Sequence, residues 1–190
     1  MINIATRSQT AQLKVLFLIG LVLLLTACGF RLRGSVGTID PLPFQSIYIT
    51  IDQNTAFGST LRRVIRSSSP NTQIINSAAE PAEVILQQVS ESRSSMEVSL
   101  NPQGRVEEFE LTLIYVFRLV TPDGEIILAD TTLQEVRNLP YDDNIVQAKE
   151  VEEANLFSQM QLSLVPRIVR RISAPDVTER YNEIKEDSNP

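Results

Sequence analysis

The groups able to do chemistry are few, and the missing ones are as informative as those present. The chain has no histidine, no tryptophan and a single cysteine, Cys28. That removes Ser-His-Asp and Cys-His nucleophilic sites and any zinc cluster built from thiolates and imidazoles. No glycine-rich phosphate loop and no dinucleotide fingerprint occurs. Three carboxylate pairs remain, Glu107-Glu108, Asp142-Asp143 and Glu152-Glu153, and paired carboxylates can serve as general acid and base. Neighbouring positions, however, point to opposite faces of a strand and diverge by roughly 100° on a helix. The pairs therefore read as solvated charge. The expectation is a protein that is not an enzyme, with no catalytic residues and no metal site.

The cations offer a different chemistry. Arg62, Arg63 and Arg66 stand close together, with Arg62 and Arg66 at the i, i+4 spacing of helix neighbours. Arg105 follows the turn sequence Asn101-Pro102-Gln103-Gly104, and Lys149 is the only lysine between Lys14 and Lys185. In a chain of net charge −6, such groups can form a local phosphate site, which a guanidinium grips with two parallel hydrogen bonds. For the arginine trio a solvated face, or ion pairs to nearby glutamates, explains the same pattern. The acidic balance argues against a nucleic-acid partner.

Elements must position these groups. Residues 47–51 (Ile-Tyr-Ile-Thr-Ile) read as a first strand. Asn54 or Thr55 can cap a following helix, on which Phe57, Leu61, Val64 and Ile65 make one apolar stripe. A short strand is possible at residues 73–75. Residues 83–100 start apolar and become serine-rich, which predicts a strand whose far half runs beyond the core. Pro102 and Gly104 predict a turn. Residues 105–120 then alternate, with Phe109, Leu111, Leu113, Tyr115, Phe117 and Leu119 on one face. Ile114 and Val116 fall on the other, nominally polar face, under a loop or at a partner surface. Pro122-Asp123-Gly124 predicts a second turn, with a strand over residues 125–136 after it. Residues 141–173 predict a long helix with Phe157, Met160, Leu164, Ile168 and Ile172 as its apolar stripe, kinked or shortened by Pro166. Residues 174–190 are polar and charged and predict a disordered tail. The expected fold is α+β: a two-layer sandwich with one mostly antiparallel sheet of about four strands and two helices on one face.

The N-terminus reads as a lipoprotein signal peptide over residues 1–27. Arg7 and Lys14 are positive, and residues 13–25 form an apolar run broken only by Lys14 and Gly20, too short for a comfortable membrane span. The run ends Leu25-Thr26-Ala27-Cys28, small residues before a cysteine that can take the lipid. A lone thiol has no internal disulfide partner in an oxidising compartment, and several acyl chains on one residue make a stable anchor. The expectation is cleavage before Cys28 and a covalent N-acyl and S-diacylglycerol lipid there, with no other cofactor. Losing Arg7 and Lys14 takes the net charge from −6 to −8. Residues 28–43, with three Gly and two Pro, read as a tether, and residues 44–173 as the folded domain.

Taken in order, these segments resemble the LptE (RlpB) family of LPS-assembly lipoproteins. The likeness runs through Cys28-Gly29-Phe30-Arg31-Leu32-Arg33, then Gly58-Ser59-Thr60-Leu61-Arg62-Arg63-Val64, then the hairpin over residues 101–111 with Gly104 and Glu108-Phe109, and then residues 142–149. The order of elements together with the lipidated cysteine carries it. The resemblance implies a plug inside the outer-membrane β-barrel LptD, in a one-to-one complex that inserts lipopolysaccharide into the outer leaflet. Gly29, where an Asp would resemble an inner-membrane retention signal, implies the outer membrane. The family's plug binds lipopolysaccharide through basic residues near the hairpin tip and the last helix, and Lys149 falls on one of those positions. In the family the hairpin's basic residue precedes the Gly, whereas here Arg105 follows Gly104. The candidate ligand residues are thus Lys149, Arg105, Arg62, Arg63 and Arg66. A periplasmic adaptor or scaffold lipoprotein that binds peptidoglycan or another envelope complex is the alternative, and a hydrolase using paired carboxylates ranks last.

Overall fold

The computed structural model describes residues 41–141 and 146–188. Cys28, the signal segment, nearly all of the tether and the pair Asp142-Asp143 lie outside the described residues.

Strand β1 (Ser46–Ile49) buries Ile47 and Ile49 on alternate positions. Helix α1 (Ala56–Ser68) starts at Thr55, whose hydroxyl accepts the Gly58 N–H at 3.0 Å, satisfying one of the helix's orphan donors. The stripe Phe57, Leu61 and Ile65 is buried. Strand β2 (Gln73–Ile75) is short, and β3 (Val84–Leu100), β4 (Val106–Val120) and β5 (Ile126–Pro140) are long. The sheet order is β2-β1-β3-β4-β5. β1 is parallel to both neighbours, while β3, β4 and β5 form an antiparallel meander. The class is α+β as expected, but the sheet has five strands where about four were expected. The fifth is β2, the short strand that residues 73–75 allowed, pairing Ser46 with Gln73 and Tyr48 with Ile75. Three residues carry too little periodicity to do more than allow a strand.

β4 is the centre of the core. Phe109, Leu111, Leu113, Tyr115, Phe117 and Leu119 are all buried, each worth about 1.5–3 kcal/mol against exposure for the larger side chains. Beyond Leu86, β3 becomes exposed along most of its length, as its serine-rich half predicts. On the open face Ile114 is 37% exposed and lies between Ser92 and Gln134. The first turn closes with the Asn101 carbonyl accepting the Gly104 N–H at 2.9 Å. The Asn101 side chain accepts the backbone N–H groups of Gln103 and Arg105. Gly104 sits at φ 77 and Gly124, in the second turn, at φ 92, where a Cβ is strained.

Helix α2 (Val146–Ile172) lies across β4 and β5 and against α1, with its predicted stripe buried throughout. Pro166 does not shorten it. The proline is on the exposed side, so the hydrogen bond it deletes faces solvent. The expected disordered tail is instead a helix, α3 (Pro175–Asp187), with Pro175 in its first turn, where a proline's missing N–H costs nothing. Val177, Tyr181 and Ile184 are buried, a stripe at i, i+4 and i+7 inside a charged composition. The fold thus has three described helices in place of two. Leu42, read as tether, is also buried, and its N–H donates to Ser69 Oγ at 3.0 Å.

Candidate functional site

The basic residues picked out in the sequence do not converge. Arg62 turns inward and is 7% exposed. Its Nη2 donates to the carbonyls of Ile49 (3.0 Å) and Ile51 (2.8 Å), and Nη1 to that of Gly58 (3.2 Å). The guanidinium therefore ties the end of β1 to the first turns of α1. Burial holds its pKa below the usual arginine value, only partly offset by Tyr48 and Asp52. Gly58 makes this seat possible, because a Cβ there would stand 2.1 Å from the Asp52 carbonyl oxygen. Arg63 and Arg66 are exposed, and Arg63 donates to Thr60 Oγ1 at 3.2 Å. With Arg62 buried and Arg63 and Arg66 exposed, the trio does not present all three side chains to one ligand.

Arg105 is exposed on the rim of the hairpin turn. α1 packs at the other end of the sheet, and the run from Leu86 to Leu100 along β3 is up to about 45 Å. The arginines of α1 and Arg105 are thus separate features.

Lys149 has the most defined surroundings. It lies in the first turns of α2 with its Nζ 3.3 Å from the centroid of the Phe109 ring and 5.5 Å from that of Tyr141. The two rings meet edge to face at 5.3 Å. Tyr141 is fixed by its N–H donating to the Glu107 carbonyl at 2.8 Å. A cation over aromatic faces keeps its charge and its hydrogen-bond donors. The arrangement holds an ammonium in place at the hairpin end of the molecule, about 13 Å along β4 from Arg105. Phe109 and Tyr141 were not expected as partners. Phe109 reads in the sequence only as a core position of β4, and nothing in the spacing links it to a helix 40 residues on.

The described carboxylates of the three pairs are exposed, half-buried or hydrogen-bonded within the sheet. Glu108 accepts the Asn138 side-chain N–H at 2.8 Å, while Glu107 and Glu152 are exposed. Among the described residues no group of three or more His, Cys, Asp or Glu is placed to hold a metal ion. No described helix is long and apolar enough to cross a membrane. At the opposite end from the hairpin turn, Glu83 fastens α3. It accepts the Gln45 N–H at 2.6 Å and the Tyr181 hydroxyl at 2.8 Å, with Lys185 Nζ 3.7 Å away. This group borders a cleft of about 470 Å³ lined also by Asp123, Glu125 and Asp187.

The described residues form an α+β domain, a five-stranded sheet roofed by helices, with its cations seated separately. Residues 44–172 match the LptE family, described as Lipopolysaccharide-assembly, and the chain belongs to that family of lipoproteins. It is 27% identical over 158 residues to the LPS-assembly lipoprotein LptE of Photorhabdus laumondii subsp. laumondii, covering 82% of each chain. It is also similar to the solution structure of lipoprotein B from Nitrosomonas europaea. There the identity is 35% and the TM-score 0.57, over 77% of this chain and 91% of that one. The crystal structure of rare lipoprotein B from Shewanella oneidensis shares the fold at 22% identity, with a TM-score of 0.55 over 70% of this chain and 96% of that one.

Proposed function

We propose that the chain is an outer-membrane lipoprotein, cut before Cys28 and acylated there, that plugs and supports assembly of an LptD β-barrel and binds lipopolysaccharide during its insertion into the outer leaflet. The observation that carries this reading is the match to the lipopolysaccharide-assembly family across residues 44–172, from before β1 to the end of α2. The seat of Lys149 supports the ligand part. Its ammonium is held by Phe109 and Tyr141 and meets phosphate without first having to be ordered. A charge-assisted hydrogen bond of that kind is worth about 1.5–3 kcal/mol. Arg105, at the rim of the same hairpin, supplies a second donor group. Arg62 is set aside from this role because it is buried and its Nη groups donate to backbone carbonyls. The exposed Arg63 and Arg66 remain secondary candidates at a separate location.

Two measurements test the reading. The tagged, full-length protein is expected to co-purify with a large β-barrel from detergent-solubilised outer membrane. Capture of peptidoglycan without a barrel replaces the proposal with an adaptor role. Arg105→Glu combined with Lys149→Glu is expected to weaken lipopolysaccharide binding at least about ten-fold, the equivalent of one lost charge-assisted contact, while the barrel still co-purifies. Unchanged binding by that variant removes the site assignment.

A further inference from the structure

We propose that the outer edge of β3 pairs antiparallel with the same edge of a second copy of this chain. The inference is independent of the one-to-one complex proposed above and concerns the chain outside it.

β3 is 17 residues long, yet β1 covers only Val84, Ile85 and Leu86. From Ser90 to Leu100 the strand is paired with β4 on one side, and among the described residues no strand lies on the other. A long edge of this kind is a template for strand addition unless something blunts it. The two other edges are blunted. β2 has three residues. β5 ends in Pro140, and Arg167 from α2 donates to the Gln134 carbonyl at 3.0 Å. Residues 89–100 of β3 contain neither proline nor lysine. They expose Val89 (38%), Met96 (66%), Val98 (47%) and Leu100 (59%).

The charges on this edge favour its own copy as the occupant. In a two-fold antiparallel seam one residue sits opposite itself and the rest pair symmetrically about it. The centre of the open run 90–100 is Ser95. Pairing about Ser95 sets Arg93 opposite Glu97 of the second copy, and Glu97 opposite Arg93. Both side chains are on the helix-covered face, since Arg93 is in register with Leu113 and Glu97 with Phe109. Opposite charges directly across a strand pair are favourable and like charges unfavourable. Centring on Arg93 or Glu97 opposes each to itself, and centring on Ser94 sets Glu91 against Glu97. Centring on Ser92 runs into Gln88, whose N–H is already taken by Thr50 Oγ1 at 3.0 Å. The register that uses the whole open run therefore also sets Arg93, which is ion-paired to Glu91 of its own strand at 2.7 Å, against Glu97 of the second copy.

The test uses the full-length, lipid-bearing chain in detergent. Its mass, followed from about 1 to about 100 μM protein, is expected to rise from monomer to dimer, as a small edge-to-edge interface requires. Glu97→Arg, at an exposed position, is expected to weaken association at least about ten-fold, and Arg93→Glu with Glu97→Arg to restore it. Oxidised Ser95→Cys is expected to cross-link two copies far faster than Thr132→Cys on β5, with Cys28 blocked by its lipid. A monomer at every concentration overturns the proposal, as do equal cross-linking rates at the two positions. Amide protection of residues 90–100 that is the same at low and high concentration also overturns it, because the edge is then covered within one chain.

Discussion

Arg62 and Lys149 are cations set against the same core at opposite ends of the sheet, and they are held by different means. Arg62 is buried, and its Nη groups donate to the carbonyls of Ile49, Ile51 and Gly58. Lys149 is half-buried and held by the faces of Phe109 and Tyr141, which use none of its hydrogen bonds. Carbonyl acceptors consume a cation's donors, whereas aromatic faces only fix its position. The first arrangement makes a structural tie. The second leaves a charge that a ligand can still meet.

The sharpest way to break this contrast is to remove the tie. Arg62→Met strands three carbonyls at the end of β1 and the start of α1, and is expected to lower stability by about 3 kcal/mol, measured by urea denaturation. Gly58→Ala attacks the same seat from the other side by driving a Cβ into the Asp52 carbonyl, at a cost of about 2–3 kcal/mol. A loss below about 1 kcal/mol for both would mean that the tie is not what holds α1 to β1.

Lys149→Met is expected to behave differently. It loses a cation–π contact worth about 0.5–2 kcal/mol, so stability falls little while lipopolysaccharide binding falls at least as far as one charge-assisted contact allows. Equal losses in stability from Arg62→Met and Lys149→Met would erase the distinction between the two sites.

The smallest effect belongs to Glu83. Burial alone would raise its pKa, but the Gln45 N–H, the Tyr181 hydroxyl and Lys185 outweigh burial and hold it below the usual carboxylate range. A carboxylate depressed in the folded state adds stability above its unfolded pKa and loses it as pH falls through the folded value. The docking of α3 is therefore expected to weaken below the ordinary glutamate range of about 4.3. Glu83→Gln is expected to flatten that acid limb in a thermal-melt series, and an unchanged pH profile would show that Glu83 does not fasten α3.

Much of the fold was legible because its signals are local. The alternation of residues 109–119 marks β4, Pro102 and Gly104 mark the hairpin turn, and the stripe from Phe57 to Ile65 marks α1. One element was only allowed and one was missed, for physical reasons. β2 is three residues long, too short for a period to do more than allow a strand at residues 73–75. α3 is dominated by its charged face, and its three buried residues gain their meaning only from docking near Phe44, whose ring meets Tyr181 edge to face at 5.9 Å. The candidate site was legible only as a set of positive residues. Sequence proximity grouped Arg62 with Arg63 and Arg66, and the helix turned the first inward and the others out.

By itself, then, the sequence determined the class of the fold, the absence of histidine chemistry, and the positions of the cations along the chain, because periodicity and composition are properties of a line. Which cation is a structural tie and which stands ready for a ligand was decided only in three dimensions. Burial and the identity of the facing groups set that role, and those groups are brought by other segments: the end of β1 to Arg62, and β4 with the end of β5 to Lys149.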